Sequence, residues 1–198
     1  PIAVLDRENK SQHTVGTISM SVDLPHNYKG THMSRFVEIL VELEGRISPR
    51  HLGSILKTMT KRFDSTTAHL ELRFPYFIEK QAPVSKARSY LDYQCAFLAA
   101  YDRRRRRHPL DLMVEVIAPV STLCPCSKEI SRHGAHNQRS HVTIRTRSRE
   151  LVWIEELVEI AESESSSPLF ALLKRQDEKH VTENAYERPR FAEDVARA

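Results

Sequence analysis

Residues 89–120 read SYLDYQCAFLAAYDRRRRRHPLDLMVEVIAPV. Two apolar runs, 89–101 and 110–120, flank a turn that holds Asp102, five consecutive arginines (Arg103 to Arg107) and His108. The runs read as strands and the arginine segment as the hairpin loop between them, which makes the pair antiparallel. The longest uninterrupted apolar stretch of the chain, residues 95–101, is seven residues long. A membrane helix needs roughly 20, so no such span is expected.

Outward from this hairpin, residues 67–79 alternate Ala68, Leu70, Leu72 and Phe74, a further strand, with Pro75 placing its later half at an edge or bend. Two segments with helical spacing precede it. Residues 33–45 carry Phe36, Val37, Leu40, Val41 and Leu43, with Gly45 as the stop. Residues 49–63 carry Leu52, Ile55, Leu56 and Met59 behind Ser48 as N-cap and Pro49 as first helical residue. Residues 13–24 read as one strand, and Pro25 and Gly30 mark a loop. Downstream, 121–140 has no period, 141–147 is a strand, and 152–161 is an amphipathic helix. After a polar break at 163–167, Pro168 opens a short helix over 168–174, and 191–198 reads as a last helix. The fold class expected is α+β with a mostly antiparallel sheet.

Composition narrows the function. Of 198 residues, 40% are hydrophobic and 28% charged, as in a soluble globular protein. Five glycines allow neither a GxGxxG nor a Walker loop, so a nucleotide would be held in another way. The net charge of +4 is smaller than the arginine run alone, so the chain is not globally basic. The run can bind phosphate or RNA, but no RNP-type aromatic motif accompanies it, and a solvated turn is the expected reading. Three cysteines, an odd number, do not suggest a secreted disulfide framework, and no signal segment opens the chain, so a cytoplasmic location is expected.

The least ordinary stretch is 123–140, LCPCSKEISRHGAHNQRS. Thiolate and imidazole are favoured ligands of zinc and its neighbours, and a loop can bring Cys124 and His136 to one ion. Spacing alone leaves two readings open: a metal site, or an ordinary loop with Cys126 as a small packed hydrophobe. Cys95 lies in an apolar run and reads as core. His13, His51, His69 and His108 read as surface or satisfied residues, whereas His26, His32, His133, His141 and His180 are better placed for function. The acid-rich segment 177–187 reads by default as a solvated helix face, and spacing selects none of its carboxylates.

At these residues the chain resembles type IB GTP cyclohydrolase. The resemblance is carried by Leu24-Pro25-His26, by Lys29-Gly30-Thr31-His32-Met33-Ser34-Arg35-Phe36, by Cys124-Pro125-Cys126-Ser127-Lys128-Glu129-Ile130-Ser131 and by Gly134-Ala135-His136-Asn137-Gln138-Arg139-Ser140. It continues through Leu172-Leu173-Lys174-Arg175, Asp177-Glu178-Lys179, Val181-Thr182-Glu183, Ala185-Tyr186 and Phe191-Ala192-Glu193-Asp194. It implies a tunnelling fold, a tandem of two related halves of antiparallel strands and paired helices, here 1–101 and 102–198 with the ligand loop at 121–140. It also implies a homotetramer with active sites at subunit interfaces. The implied reaction opens GTP at C8, releases formate and rearranges the remainder to 7,8-dihydroneopterin triphosphate, the entry to folate and related pterins. An archaeal branch of such enzymes makes the cyclic phosphate.

Carried over residue by residue, Cys124 and His136 match metal ligands, Glu178 a carboxylate ligand, and Glu193 the glutamate that anchors the guanine edge. Mixed sulfur, nitrogen and oxygen donors leave zinc, manganese and ferrous iron all open. Lys128, Arg139 and His133 flank the ligand loop and are placed to meet the triphosphate. Arg35 and His32 are candidates there too, with His32 as a proton shuttle. The family's histidine ligand from a C-terminal tail has no counterpart before Ala198, and the chain opens on Pro1, so truncation at both ends is expected. Two other classes are carried: a tunnelling-fold pterin or deazapurine enzyme with a nucleophilic cysteine, and an RNA-binding module using the arginine loop.

Overall fold

The structure is a computed structural model and describes residues 1–8, 10–24, 32–43, 47–148 and 150–197. The expected loop at Pro25 and Gly30, the Gly45 stop and the candidate His26 lie outside the described residues. The elements are β1 (Ile2–Asp6), β2 (Lys10–Thr14), β3 (Thr17–Val22), α1 (Ser34–Glu42), α2 (Pro49–Arg62), β4 (Thr67–Gln81), β5 (Arg88–Asp102) and β6 (Leu110–Leu123). There follow α3 (Pro125–Ile130), β7 (Asn137–Arg147), α4 (Ile154–Glu164), β8 (Ser167–Pro168), α5 (Arg175–Glu187) and α6 (Ala192–Arg197). β1 and β2 form an antiparallel pair, and the larger sheet runs β3-β4-β5-β6-β7 with β8 added to β6. This is the α+β, antiparallel class read from the sequence, and it is consistent with the tunnelling fold.

Contacts divide the chain into two compact units. One comprises Pro1–Pro75, Cys95–Glu115 and Arg145–Trp153, the other Tyr76–Gln94, Val116–Ile144 and Ile154–Ala198. Each contains part of β4, β5, β6 and β7, so this division is of a different kind from the sequential halves 1–101 and 102–198.

In the first unit, α1 and α2 supply Phe36, Ile39, Leu52, Ile55, Leu56 and Met59 to the core. The Phe36 and Phe63 rings stack at 4.3 Å. On β4, Leu70, Leu72 and Phe74 are buried and alternate with His69, Glu71 and Arg73, the period of two that a strand with one buried face requires. The stretch expected as a single strand, 13–24, is two. It breaks at Gly16, where an added Cβ would lie 2.8 Å from the Leu72 side chain and 2.9 Å from that of Ile2. β3 pairs with β4 only from Thr17↔Arg73 to Val22↔Ala68, so Pro75 falls just past the end of that ladder, where its missing N–H costs no strand pairing on that side. Ser48 does precede α2, but its hydroxyl meets His51 Nδ1 at 3.2 Å rather than a helical N–H.

The second unit places Ile154, Leu157, Val158 and Ala161 of α4 in its core. The Tyr76 hydroxyl donates to Glu155 and the Tyr93 hydroxyl to Glu162, each at 2.6 Å, and Lys80 also pairs with Glu162. Burial, and then Glu162, pushes the Tyr93 phenol far up. The short helix expected over 168–174 is absent. Pro168 instead joins β8, paired with Val120, and the Ser166 N–H donates to the Ser121 carbonyl at 3.1 Å. The helix starts at Arg175, where Asp177 supplies an N-terminal cap that nothing at 168–171 provides. Among the described residues no helix is long and apolar enough to cross a membrane.

Candidate functional site

The aperiodic stretch 121–140 proves to be the end of β6, the short helix α3 and the start of β7. β6 ends at Leu123, whose N–H donates to Ser166 Oγ at 3.0 Å and whose carbonyl accepts the Arg190 N–H at 3.1 Å. Cys124 follows in an extended conformation at the N-cap of α3, and Pro125 is the first helical residue, where its lack of an N–H is harmless. The chain then returns through Gly134, whose φ of 112° is a conformation that side-chain-bearing residues rarely adopt.

That return joins Cys124 to His136. The Cys124 N–H donates to the His136 carbonyl at 3.2 Å. The Ser127 hydroxyl accepts the His136 N–H at 3.1 Å and donates to the Cys124 carbonyl at 3.1 Å. Two residues twelve apart in sequence are thus locked together through their backbones, leaving the half-buried thiol and the exposed imidazole ring for other work. The Ser127 backbone N–H pulls the Cys124 thiol below its ordinary range against partial desolvation, helped by the Ser127 hydroxyl and by Cys126. The sulfur is therefore biased toward thiolate, the form that binds a metal or attacks an electrophile.

The acid-rich segment separates into two kinds of carboxylate. Asp177 is fully buried. Its Oδ1 accepts the Val84 N–H at 2.9 Å and the Ser85 N–H at 2.8 Å, and its Oδ2 accepts the Ser85 hydroxyl at 2.6 Å and the Lys174 N–H at 2.9 Å. Burial pushes this carboxyl up, but the bonds from Ser85, Lys174 and Val84 outweigh it and hold it well below the carboxylate range. Asp177 thus fastens the first turn of α5 to the β4–β5 turn. The sequence reading missed this role; its one visible signal is an acid at the third helical position after Lys174. The neighbouring Glu178 is exposed, with its carboxylate outside this network.

Glu193 is exposed in the first turn of α6, a helix capped by Asp194, which accepts the Phe191 N–H at 3.0 Å. The Arg190–Leu123 bond ties the segment leading into α6 to the residue before Cys124. Arg139 on β7 and His133 in the return loop are exposed. Lys128 donates to the Tyr186 carbonyl at 2.5 Å and lies 4.3 Å from that ring's centroid. His32 and Arg35 belong to the first unit. His32 is exposed, and the Arg35 guanidinium donates to the Arg62 carbonyl at 2.9 Å, closing the end of α2.

The donor chemistry of Cys124 and His136 fits a divalent ion. Among the described residues no group of three or more His, Cys, Asp or Glu is placed to hold one, so Glu178 does not join the pair into a three-donor cluster. Two clefts of the first unit contain none of the candidates. One, about 290 Å³, is lined by Ser19, His69, Glu71, Asp111 and Arg147; the other, about 610 Å³, is apolar, between Ile2, Ile18, Val37, Val41 and Leu72.

Comparison with known proteins now decides the family. All of residues 1–198 match the family described as type I GTP cyclohydrolase folE2. The chain belongs to this family. Its relatives include the GTP cyclohydrolase FolE2 of Syntrophotalea carbinolica, 52% identical over 198 residues, which span all of this chain and 73% of the relative. That of Pelobacter propionicus is 54% identical over 197 residues, covering 75% of the relative, and that of Thermosipho africanus 50% identical over 197 residues, covering 74%.

Proposed function

We propose that this chain is a metal-dependent GTP cyclohydrolase of the type IB class. It opens the imidazole ring of GTP at C8, releases formate and yields 7,8-dihydroneopterin triphosphate for folate synthesis. The observation that carries the reading is the Cys124–His136 lock, in a chain that matches a GTP cyclohydrolase family along its whole length. It acts in the cytoplasm as a homotetramer.

Purine C8 is weakly electrophilic and water is a poor nucleophile. A divalent ion held by Cys124 and His136 would supply a Lewis-acid centre that acidifies water toward neutral pH. The Ser127 contacts hold the Cys124 thiol below its ordinary range, which eases the loss of its proton on binding a metal. Glu193, exposed on α6, accepts two N–H bonds from guanine N1 and N2. Adenine lacks that donor pair, so it leaves the acceptors unpaired and is rejected. Arg139 and His133 meet the triphosphate.

The test is GTP turnover with zinc, manganese and ferrous iron in turn, read by formate release and by pterin fluorescence after oxidation. Turnover with one ion, abolished by chelator, is expected; a folded, metal-loaded protein that leaves GTP intact overturns the reading. The acidified Cys124 also suits a nucleophile toward a pterin or deazapurine substrate. Alkylation separates the two readings: a metal-bound thiol resists until chelator is added, and a free nucleophile reacts at once.

A further inference from the structure

The polar break at 163–167 ends in three serines, Ser165, Ser166 and Ser167, each 1% exposed. A hydroxyl buried so deeply needs a partner. Ser165 donates its hydroxyl to the Glu162 carbonyl at 2.8 Å and so closes the end of α4. Ser166 faces β6 instead. Its N–H donates to the Ser121 carbonyl at 3.1 Å, and its hydroxyl oxygen accepts the Leu123 N–H at 3.0 Å. β8 runs beside β6 at Val120 and Ser121, two residues short of Leu123. The Ser166 side chain thus stands in for a strand carbonyl where β8 does not reach.

Leu123 is buried and directly precedes Cys124. The peptide that joins the two is held at both edges. Its C=O accepts the Arg190 N–H at 3.1 Å, and its N–H, that of Cys124, donates to the His136 carbonyl at 3.2 Å. The C=O and N–H of a trans peptide point in opposite directions, so two such bonds define an axis across the chain and leave a tilt about it. On the far side, the Cys124 carbonyl accepts the Ser127 hydroxyl and the Lys128 N–H, bonds that join Cys124 to α3 and, through Ser127, to His136. The Leu123 N–H lies off the axis, one peptide back, and ties the strand end to the segment between α4 and β8. Holding it fixes the tilt, and the tilt sets where the Cys124 Cα–Cβ bond points.

We propose that Ser166 is a positioning residue: by holding the Leu123 N–H it fixes the direction in which Cys124 presents its thiol, and so how well that thiol and the His136 ring meet on one ion. The inference rests on the proposed metal-dependent reading and concerns a residue outside the segment that carries it.

The test compares the unsubstituted protein with Ser166→Ala and Ser165→Ala, using cobalt(II) as probe. Its thiolate absorption band, absent from Cys124→Ala, reports binding at Cys124 without turnover. Both serine variants lose one buried hydroxyl bond from the same segment, so both should lower the urea midpoint by a similar amount. Ser166→Ala alone should weaken cobalt affinity, by about tenfold, the usual cost of losing an outer-shell support. It should lower kcat about as much and leave KM for GTP within about twofold. Ser165→Ala should keep cobalt affinity and kcat within about twofold. Ser166→Thr keeps the hydroxyl acceptor and should recover most of the loss. Unchanged cobalt affinity in Ser166→Ala overturns the proposal. So does an equal loss in Ser165→Ala, which would assign the effect to stability. If Ser166→Ala does not fold, Ser166→Gly removes the same acceptor, with the same expectation and the same overturning result. A protein that binds cobalt but leaves GTP intact sinks the proposed function while the cobalt comparison still decides the role of Ser166. One that binds no cobalt overturns that role as well.

Discussion

Two connections between neighbouring strands of one sheet invite comparison, the 103–109 turn after β5 and the 124–136 segment after β6. Both are polar and rich in cations. In the first, the charges are answered locally. Arg104 pairs with Asp102 at 2.9 Å, Arg105 with Asp102 at 3.8 Å and Arg103 with Asp64 at 3.8 Å. Arg104 in turn holds the Asp102 carboxyl below its ordinary range. In the second, backbone groups and the Ser127 hydroxyl join Cys124 to His136, the imidazole rings of His136 and His133 stay exposed, and the Cys124 sulfur is half-buried and biased toward thiolate. A loop whose side chains satisfy one another is a turn. A loop whose backbone is satisfied and whose side chains are held in spare is able to bind.

The sharpest attack on that contrast removes the spare side chains. Cys124→Ala and His136→Ala should each reduce GTP turnover by more than the ~10–100-fold that loss of an outer-shell partner costs, with far-UV dichroism unchanged. Substantial turnover in either folded variant would break the assignment. Ser127→Ala removes both hydroxyl bonds of the lock. Turnover should fall roughly tenfold, and the pH profile of Cys124 alkylation should shift upward, since the hydroxyl helps lower that thiol. An unshifted profile would leave the lock without influence on the sulfur.

Asp177 provides a third test, of anchoring rather than chemistry. Its carboxyl is held below the unfolded value, so the folded state binds fewer protons than the unfolded one. Its stabilisation is fully present above the ordinary aspartate range, near about pH 4, and is lost as pH falls further. Asp177→Asn should lower the urea midpoint at neutral pH and flatten the acid limb of the stability profile; an acid limb as steep as before would assign the dependence elsewhere. The smallest effect belongs to the arginine turn. Arg106→Ser with Arg107→Ser, both exposed, should change stability by no more than about 0.5 kcal/mol and leave turnover unchanged. Salt-sensitive RNA binding that these substitutions abolish would restore the turn as a functional surface.

Much of this was legible in the residues. The strand period of 67–79 and the helical period of 49–63 survive in β4 and α2, because a single buried face imposes its spacing on the sequence. Where burial is not one-sided the reading fails. The separation of β2 from β3 depends on how closely Gly16 approaches Leu72, and the loss of the 168–174 helix depends on the pairing of Pro168 with Val120, both contacts between distant parts of the chain. The acidic run 177–187 shows the same limit. Asp177 and Glu178 are equivalent by composition, and only the Val84–Ser85 turn, more than ninety residues upstream, makes one an anchor and leaves the other exposed.

The sequence by itself determined the α+β class, the antiparallel hairpin at 89–120 and the residue types at 123–140, because periodicity and side-chain chemistry are local properties. Tertiary structure alone decided which polar groups are already satisfied: Asp177 by the β4–β5 turn, Arg35 by the end of α2 and Lys128 by Tyr186. A hydrogen bond needs its partner within about 3 Å, and distances of that kind exist only once the chain has folded.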